Sequence, residues 1–240
     1  MSKQIGFDRF IKLQWAEDLA WRMRETKDEV SLKRIIAEDI LSKELPTQET
    51  RRKTSIVLLK AFYRIPPQHE RLRNEALELL PQVGVNEAKA LYWGLMLLAF
   101  PIFTDTARHI GQLFSLQSDA SAALVQRRVI ETWGQRGSLH STLNKVVKTM
   151  AEWGCIDLTD HKKVLVPKAP TPLGKPASLW LTRVALTVSE TPLVPVDQAL
   201  RPSICFPFTM DIHAQDFSDG EFLLQRMDGR TEYVGLRHRL

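Results

Sequence analysis

Residues 138–153 carry the pattern that most constrains the fold of this chain. Apolar side chains recur there at the spacing of one helical face, so that one side of a helix would pack on a core. These side chains are Leu139, Leu143, Val146, Val147, Met150 and Trp153. The polar and basic residues outside this stripe are His140, Ser141, Asn144, Lys145 and Lys148. The pattern predicts an amphipathic helix whose second side stays in solvent.

Two further helices and two short strands surround this helix in the sequence. The helical patterns lie at residues 104–116, 121–133 and 138–153, and the strand-like stretches lie at 155–158 and 164–167. We expect Ser138 to cap the third helix and Gly154 to end it, because glycine tolerates the positive φ of a helix end. Three helices followed by a β-ribbon outline a winged helix-turn-helix, whose third helix usually lies in a DNA groove.

The first 103 residues predict a helical domain. Helical patterns lie at residues 7–23, 30–41 and 69–80. Another helix is expected from an N-cap at Thr47 to Tyr63, and a fifth from a cap at Asn86 through an apolar run that ends near Pro101. We therefore expect a mainly α protein. Its three parts are a helical domain at residues 1–103, a winged helix-turn-helix at 104–167 and a C-terminal extension at 168–240.

The extension predicts a linker, one helix and a hairpin. Prolines punctuate its first residues, and a helical pattern follows at residues 177–189. Strand-like runs at 222–227 and 231–236 flank Asp228 and Gly229, a dipeptide typical of two-residue hairpin turns. We expect a small β-hairpin here.

Positive charge concentrates in the predicted winged helix-turn-helix. The formal net charge of the chain is only +5, which permits a nucleic-acid partner without requiring one. Between Arg127 and Lys168, however, eight basic residues stand against four acidic ones. Most of the excess charge therefore lies in and around the helix 138–153.

A helix that reads a DNA groove needs one anchored side and one polar side. Asparagine can bond an adenine edge, and lysine can meet guanine or phosphate. The expected groove contacts are His140, Ser141, Asn144, Lys145 and Lys148, and the expected phosphate contacts are Arg127, Arg128, Arg136, Lys162 and Lys163. The same residues also fit a solvated face, and winged helices can serve as protein-protein modules. We favour double-stranded DNA as the partner.

A second basic cluster begins the helix that follows Thr47. Arg51, Arg52 and Lys53 lie in its first turns, where cations oppose the helix dipole at a cost of about 0.3–1 kcal/mol each. A bound phosphate would relieve that conflict. A second DNA-backbone site and a solvated face are equally good interpretations.

The sequence argues against an enzyme. It has no glycine-rich phosphate loop and no serine-hydrolase or zinc-protease motif. Asp211 and His213 lie near Asp216, Asp219 and Glu221, but without the spacing of a metal loop. We expect no catalytic residue, no metal and no cofactor.

The sequence also predicts a soluble, cytoplasmic protein. The N-terminus has no apolar signal core. The uncharged run at residues 90–104 is shorter than the roughly 20 residues of a bilayer span and contains Pro101. Cys155 and Cys205 lie far apart in no metal spacing, as is typical of buried, reduced thiols.

Four stretches carry a resemblance to a known group of proteins. They are Thr47-Gln-Glu-Thr-Arg-Arg-Lys-Thr, Tyr92-Trp-Gly-Leu, Gln126-Arg-Arg-Val-Ile-Glu-Thr-Trp-Gly and Ala151-Glu-Trp-Gly-Cys-Ile. Their order resembles winged-helix proteins of bacterial phage-defence gene clusters, and is similar in layout to the small DNA-binding accessory protein of the BREX system. The resemblance covers roughly the first two-thirds of the chain. It implies a non-enzymatic DNA-binding component that works with larger co-encoded proteins.

Two other functions remain open at this point. In a structural subunit, the helix 138–153 would pack on a partner protein and the C-terminal hairpin would add a strand to it. A transcription regulator would instead bind one palindromic DNA site with high affinity.

Overall fold

The computed structural model describes residues 6–26, 28–161, 163–218, 220–227 and 231–237, and the protein is mainly helical, as predicted. The first half forms α1 (Leu13–Glu25), α2 (Glu29–Ile35), a π-helix (Ile36–Ile40), α3 (Gln48–Phe62), α4 (Glu70–Leu79), α5 (Val85–Ala99) and α6 (Pro101–Phe114). The middle forms β1 (Ala120–Ser121), α7 (Ala122–Trp133), α8 (Leu139–Glu152), β2 (Ile156–Thr159) and β3 (Val164–Pro167). The remainder forms β4 (Thr171–Pro172), α9 (Lys175–Thr187), β5 (Leu193–Pro195), α10 (Val196–Leu200), β6 (Phe208–Thr209), β7 (Phe222–Met227) and β8 (Thr231–Leu236). Short 3₁₀ turns lie at Pro67–His69, Leu80–Gln82, Ser203–Cys205 and Ala214–Phe217.

The first predicted helix begins later than the apolar pattern indicated. Residues 7–12 precede α1 in non-helical conformation, and Phe7 and Ile11 are fully buried there. The predicted helix at 30–41 is divided into α2 and a π-helix. The predicted cap of α3 is confirmed, because the Thr47 hydroxyl accepts a hydrogen bond from the Thr50 N–H at 3.3 Å.

Proline and glycine set the boundaries of α5 and α6. Gly84, and not Asn86, is the N-cap of α5, and the Glu87 carboxylate accepts the Gly84 N–H at 3.1 Å. Pro101 occupies the first turn of α6, where its missing N–H costs no helical bond. No single helix in the described ranges is long and apolar enough to cross a membrane; α5 and α6 reach that length only as a pair bent by 119°.

The three helices and two strands predicted for residues 104–167 are present as α6, α7, α8, β2 and β3. β1 adds a third strand, and the sheet order is β1-β3-β2 with antiparallel pairing throughout. Ser121 caps α7 by accepting the Leu124 N–H at 3.1 Å. Ser138 is the N-cap residue of α8, as predicted, although its hydroxyl makes no capping hydrogen bond. Gly154 has a φ of 67°, as expected at the helix end.

The C-terminal part contains the predicted hairpin. β7 pairs antiparallel with β8 from Phe222↔Leu236 to Met227↔Thr231, and β5 pairs with the other side of β8. The predicted turn at Asp228 and Gly229 lies outside the described residues. β4 and β6 form a separate two-stranded parallel sheet.

One continuous apolar core joins the predicted parts of the chain. It extends from Phe7 to Phe208 and crosses both predicted boundaries, at 103/104 and 167/168. The indole N–H of Trp180 on α9 donates to the Leu72 carbonyl at 2.9 Å, which ties the extension to α4. A smaller cluster contains Leu186, Val196, Ala199, Ile212, Phe217, Phe222, Val234 and Leu236. The division into three domains stays a prediction.

Candidate nucleic-acid interface

α8 presents the predicted polar residues on one side. His140, Ser141, Asn144 and Lys148 are exposed, and Lys145 is half-buried. The other four residues follow His140 by one, four, five and eight positions, and this spacing keeps all five on one helical face. Lys145 Nζ donates to the Ser141 hydroxyl at 3.1 Å. The surface formed by these five residues is called the α8 face below.

The opposite side of α8 anchors it to the core. Leu139, Leu143, Val146 and Met150 are fully buried there, as predicted, whereas Val147 is only half-buried. Two further residues on this side were missed by the apolar pattern, because they are polar: Thr142 and Thr149. A buried threonine side chain still contributes its methyl group to packing, so a hydropathy pattern undercounts the anchored side.

The segment before α1 holds the C-terminal end of α8. The Thr149 hydroxyl accepts the Ile11 N–H at 3.0 Å, and the Trp153 indole N–H donates to the Ile11 carbonyl at 2.9 Å. The Lys148 ammonium lies 4.0 Å from the centre of the Phe10 ring, a cation–π contact. Residues 7–12 are called the N-terminal segment below.

Glu152 joins α8 to the start of α1. Its carboxylate accepts the Leu13 N–H at 2.7 Å, which satisfies one of the free N–H groups at the N-terminus of α1. Burial raises the pKa of the Glu152 carboxyl, and the bond from Leu13 opposes that increase. A carboxylate at this position also suits the positive end of the α1 dipole.

The side-chain amide of Asn144 is oriented by α7. Gln126 Nε2 donates to Asn144 Oδ1 at 3.1 Å. A carboxamide oxygen has two lone pairs, so Asn144 can accept a second bond while its NH₂ group stays free to donate. This arrangement fixes the side chain in a pose from which an adenine edge could be read.

The three predicted phosphate-binding arginines differ in their exposure and in the groups that they contact. Arg127 is exposed and lies 3.9 Å from Glu131, while Arg128 is half-buried. Arg136 lies in the turn before α8, with its guanidinium 5.8 Å from the Trp133 ring. These three arginines belong to α7 and the turn that follows it.

The loop between β2 and β3 begins with two residues in left-handed conformation. Asp160 and His161 have φ values of 44° and 52°, in the region that L residues rarely adopt. Lys163 is exposed, and its carbonyl accepts the Ala122 N–H at 2.7 Å, so the loop is attached to the start of α7. Lys162 lies outside the described residues.

A buried carboxylate positions the end of α7. Asp105 on α6 is 4% exposed, accepts the Trp133 indole N–H at 2.9 Å and pairs with Arg108. Trp133 is the last residue of α7, so this contact fixes the point from which the chain turns into α8. No sequence pattern marked Asp105, because a single acidic residue in an apolar helix has no periodicity.

The second basic cluster lies apart from these residues, on α3. Glu49 in the first turn pairs with Arg52 at 3.0 Å and with Lys53 at 2.8 Å. These cations hold the pKa of Glu49 at about 2, far below its ordinary value. Glu49 therefore partly neutralises Arg52 and Lys53 at this end of the helix. Arg51 is half-buried and lines an open cleft of about 630 Å³ between α2 and α3.

Comparisons with protein-family models, with curated proteins and with solved structures find no match to this chain. The functional interpretation therefore depends on the residues and their geometry.

The acidic residues near the C-terminus have structural partners. Asp216 pairs with Lys175 and accepts the His213 N–H at 2.7 Å, and these contacts lower its pKa. Within the described ranges no group of three or more metal-ligating side chains converges, whereas Asp219 lies outside them. Asp211 and His213 therefore have no third metal-ligating side chain beside them among the described residues.

Both cysteines are buried and unpaired with each other. Burial raises the pKa of the Cys155 thiol to about 12 and raises that of Cys205 as well. A thiol that stays protonated at neutral pH is a poor nucleophile. The predicted burial of both cysteines is confirmed.

Proposed function

We propose that this protein is a non-enzymatic double-stranded DNA-binding protein that uses the α8 face. The observation that carries the proposal is the division of α8 into an anchored side and a solvent side with two lysines and an oriented asparagine. The element order α6-β1-α7-α8-β2-β3, with sheet order β1-β3-β2, supports the winged helix-turn-helix interpretation of residues 104–167.

The α8 face divides into base-reading and phosphate-binding roles. His140, Ser141 and Asn144 lie in the first half of the helix, and we assign them contacts to base edges. Lys145 and Lys148 lie further along and would contact guanine or phosphate. Phosphates on either side would be held by Arg127, Arg128, Arg136, Lys162 and Lys163.

The α3 cluster is a weaker candidate for a second DNA-backbone site. Arg52 and Lys53 share Glu49, so their charge is already partly neutralised. Arg51 is the residue of this cluster for which no carboxylate lies within ion-pairing distance in the described part of the chain. A phosphate contact on α3 would therefore depend mainly on Arg51.

We propose bacterial phage defence as the setting, with larger co-encoded proteins as partners. This part of the proposal is supported by the resemblance of the segments around Thr47, Tyr92, Gln126 and Ala151. A non-enzymatic DNA-binding component would act here by bringing such proteins to the DNA that it binds. Co-purification with the products of neighbouring genes tests this assignment.

Binding of a labelled random-sequence duplex, followed by fluorescence anisotropy across a salt series, tests DNA binding. We expect log affinity to fall linearly with log salt, by about 0.9 per phosphate neutralised. Lys145→Glu with Lys148→Glu should weaken binding. It should also make the slope less steep by the amount that roughly two phosphate contacts contribute. The control is Arg22→Glu with Arg201→Glu, which makes the same charge change at two exposed positions, one on α1 and one at the end of α10.

Two outcomes contradict the proposal. If the parent protein binds no duplex even at low salt, α8 serves a protein partner instead, as in a structural subunit. If the α8 variant and its control lose affinity equally, only overall charge matters and the α8 face is not the interface. A single high-affinity palindromic site would show the narrower role of a transcription regulator.

A further inference from the structure

Among the residues that the structure describes, the outer strand of the C-terminal sheet, β7, has one edge without a partner strand. In the described part of the chain this sheet has the order β5-β8-β7, so β7 pairs only with β8. β7 is six residues long, contains no proline or glycine, and has one charged side chain, Arg226. Long, apolar edge strands without proline are the ones that readily pair with another strand.

The hydrogen-bond pattern shows which backbone groups of β7 face outwards. The Arg237 N–H donates to the Glu221 carbonyl at 2.9 Å, so 221 and 237 form a hydrogen-bonded pair. Such pairs alternate along an antiparallel ladder, so the next ones are 223 with 235 and 225 with 233. The N–H and C=O groups of Phe222, Leu224 and Arg226 consequently point away from β8.

We propose that a second copy of this chain pairs with this edge, β7 against β7, about a two-fold axis at Leu224. In this register Leu224 opposes Leu224 of the other copy, and Phe222 of each copy opposes Arg226 of the other. All three outward-facing residues of each strand then form hydrogen-bonded pairs. A two-fold axis centred on Phe222 or Arg226 would leave two of these three residues unpaired.

The side chains of β7 are compatible with this register. Leu224 is 37% exposed although Phe222, on the same face of the strand, is buried. A second Leu224 directly opposite would cover that exposed apolar surface, because cross-strand neighbours lie about 5 Å apart. The register therefore places an exposed apolar residue against its own copy.

Charge does not oppose the self-pairing. Arg226 is already paired with Glu232 of β8 at 2.7 Å. The two copies of Arg226 would be four residues apart along the strands, about 13 Å at a rise of roughly 3.3 Å per residue. That separation exceeds the Debye length of about 8 Å at physiological salt, so their repulsion is largely screened.

The expected dimer is weak and concentration-dependent. Pairing of two short strands buries less than the roughly 1,200 Å² of a standard stable interface. Sedimentation velocity of the full chain over increasing concentration should therefore show a reversible shift from monomer to dimer. This inference is independent of DNA binding, which a monomer could also perform.

Leu224→Pro separates edge pairing from folding. Proline removes the Leu224 N–H, which takes no part in the ladder with β8, and it also favours extended backbone at the preceding residue. We expect a folded monomer at all concentrations, with folding checked by circular dichroism. Leu224→Lys should act in the same direction through the side chain, and the matched control Leu116→Lys, at another exposed leucine, should leave the dimer intact.

Hydrogen exchange of the unmodified protein provides a second test that needs no variant. Amides of 222, 224 and 226 should gain protection as concentration rises, whereas those of 223 and 225 should be protected at every concentration. A protein that stays monomeric throughout the range overturns the proposal. A dimer that survives both Leu224 variants also overturns it, because the contact would then lie elsewhere.

Discussion

Removal of the Asp105 carboxylate should destabilise the protein through two groups at once. Asp105→Ala removes the hydrogen bond that the Trp133 indole N–H donates to Asp105, and loss of such a bond by a buried donor costs about 1–3 kcal/mol. It also breaks a buried ion pair with Arg108, for which the cost of removing one partner is about 3–5 kcal/mol. The sum of these ranges is an upper bound on the loss of unfolding free energy.

The position of Arg108 lowers that bound. Its side chain keeps 22% exposure and lies 3.6 Å from Glu190, so water and a second carboxylate compensate for part of the loss. We expect a loss of about 3 kcal/mol for Asp105→Ala. Asp105→Asn retains an oxygen acceptor for Trp133 and loses only the charge. We therefore expect a smaller loss of unfolding free energy, about 1–2 kcal/mol.

Urea denaturation followed by circular dichroism measures both losses, provided that the slope of unfolding free energy against urea is unchanged. The control is Glu131→Ala, which removes an exposed pair with Arg127 and should change stability by less than about 0.5 kcal/mol. A loss below about 1 kcal/mol for Asp105→Ala would refute the reasoning. So would an equal loss for Asp105→Ala and Asp105→Asn, because the hydrogen bond to Trp133 would then be irrelevant.

Three further perturbations test separate contacts. Thr149→Val removes the acceptor of the Ile11 N–H and should cost about 1–3 kcal/mol in urea denaturation; a stability equal to the parent's would exclude that bond. Gly94→Ala places a Cβ against the Trp180 ring and should cost about 1–3 kcal/mol by overpacking, seen as a lower Tm; an unchanged Tm would mean that α9 moves freely. Arg64 and Lys33 lower the pKa of Glu29 from its ordinary value of 4.5 to about 2. The ion pairs of Glu29 therefore stabilise the fold fully above pH 4.5, and this stabilisation is lost as the pH falls towards 2. Glu29→Gln should therefore flatten this part of the stability–pH curve, and an identical curve would count against the ion pairs.

Local signals in the sequence were sufficient for α7, α8 and the strands that follow them. The apolar stripe from Leu139 to Met150 and the positive φ of Gly154 each act within a few turns of one helix. The same holds for β7 and β8, whose lengths the hairpin pattern predicted. Elements determined by such short-range chemistry can be predicted from one sequence.

Contacts between distant parts of the chain could not be predicted in this way. Phe7, Phe10 and Ile11 fit a helical spacing, yet they lie before α1 in non-helical conformation, where the Ile11 backbone bonds to Thr149 and Trp153 of the α8 end. Thr149 gives no hydrophobic signal and becomes part of the anchored side through the same contact. The partners are separated by 138 residues in the sequence, beyond the reach of any periodic pattern.

The α3 cluster shows a different limit of sequence reasoning. The count of basic residues after Thr47 was correct, but charge counts do not specify which carboxylate lies between the cations. Glu49 is one turn before Arg52 and Lys53 and binds both. A local excess of positive charge therefore predicts an anion site only where the nearest acidic side chain cannot reach it.

The α8 face depends on contacts with the N-terminal segment, which is distant from α8 in the sequence. Its Ile11 supplies both a donor to Thr149 and an acceptor for Trp153, and its Phe10 lies under the ammonium of Lys148. Residues 104–167 without this segment would leave the Thr149 hydroxyl and the Trp153 N–H without these partners in an apolar surface, which costs free energy for each group. Lys148 would also lose the ring that holds its side chain over the end of α8. The unit that orients the proposed DNA contacts therefore comprises residues 104–167 together with residues 7–12, although residues 13–103 separate the two in the sequence.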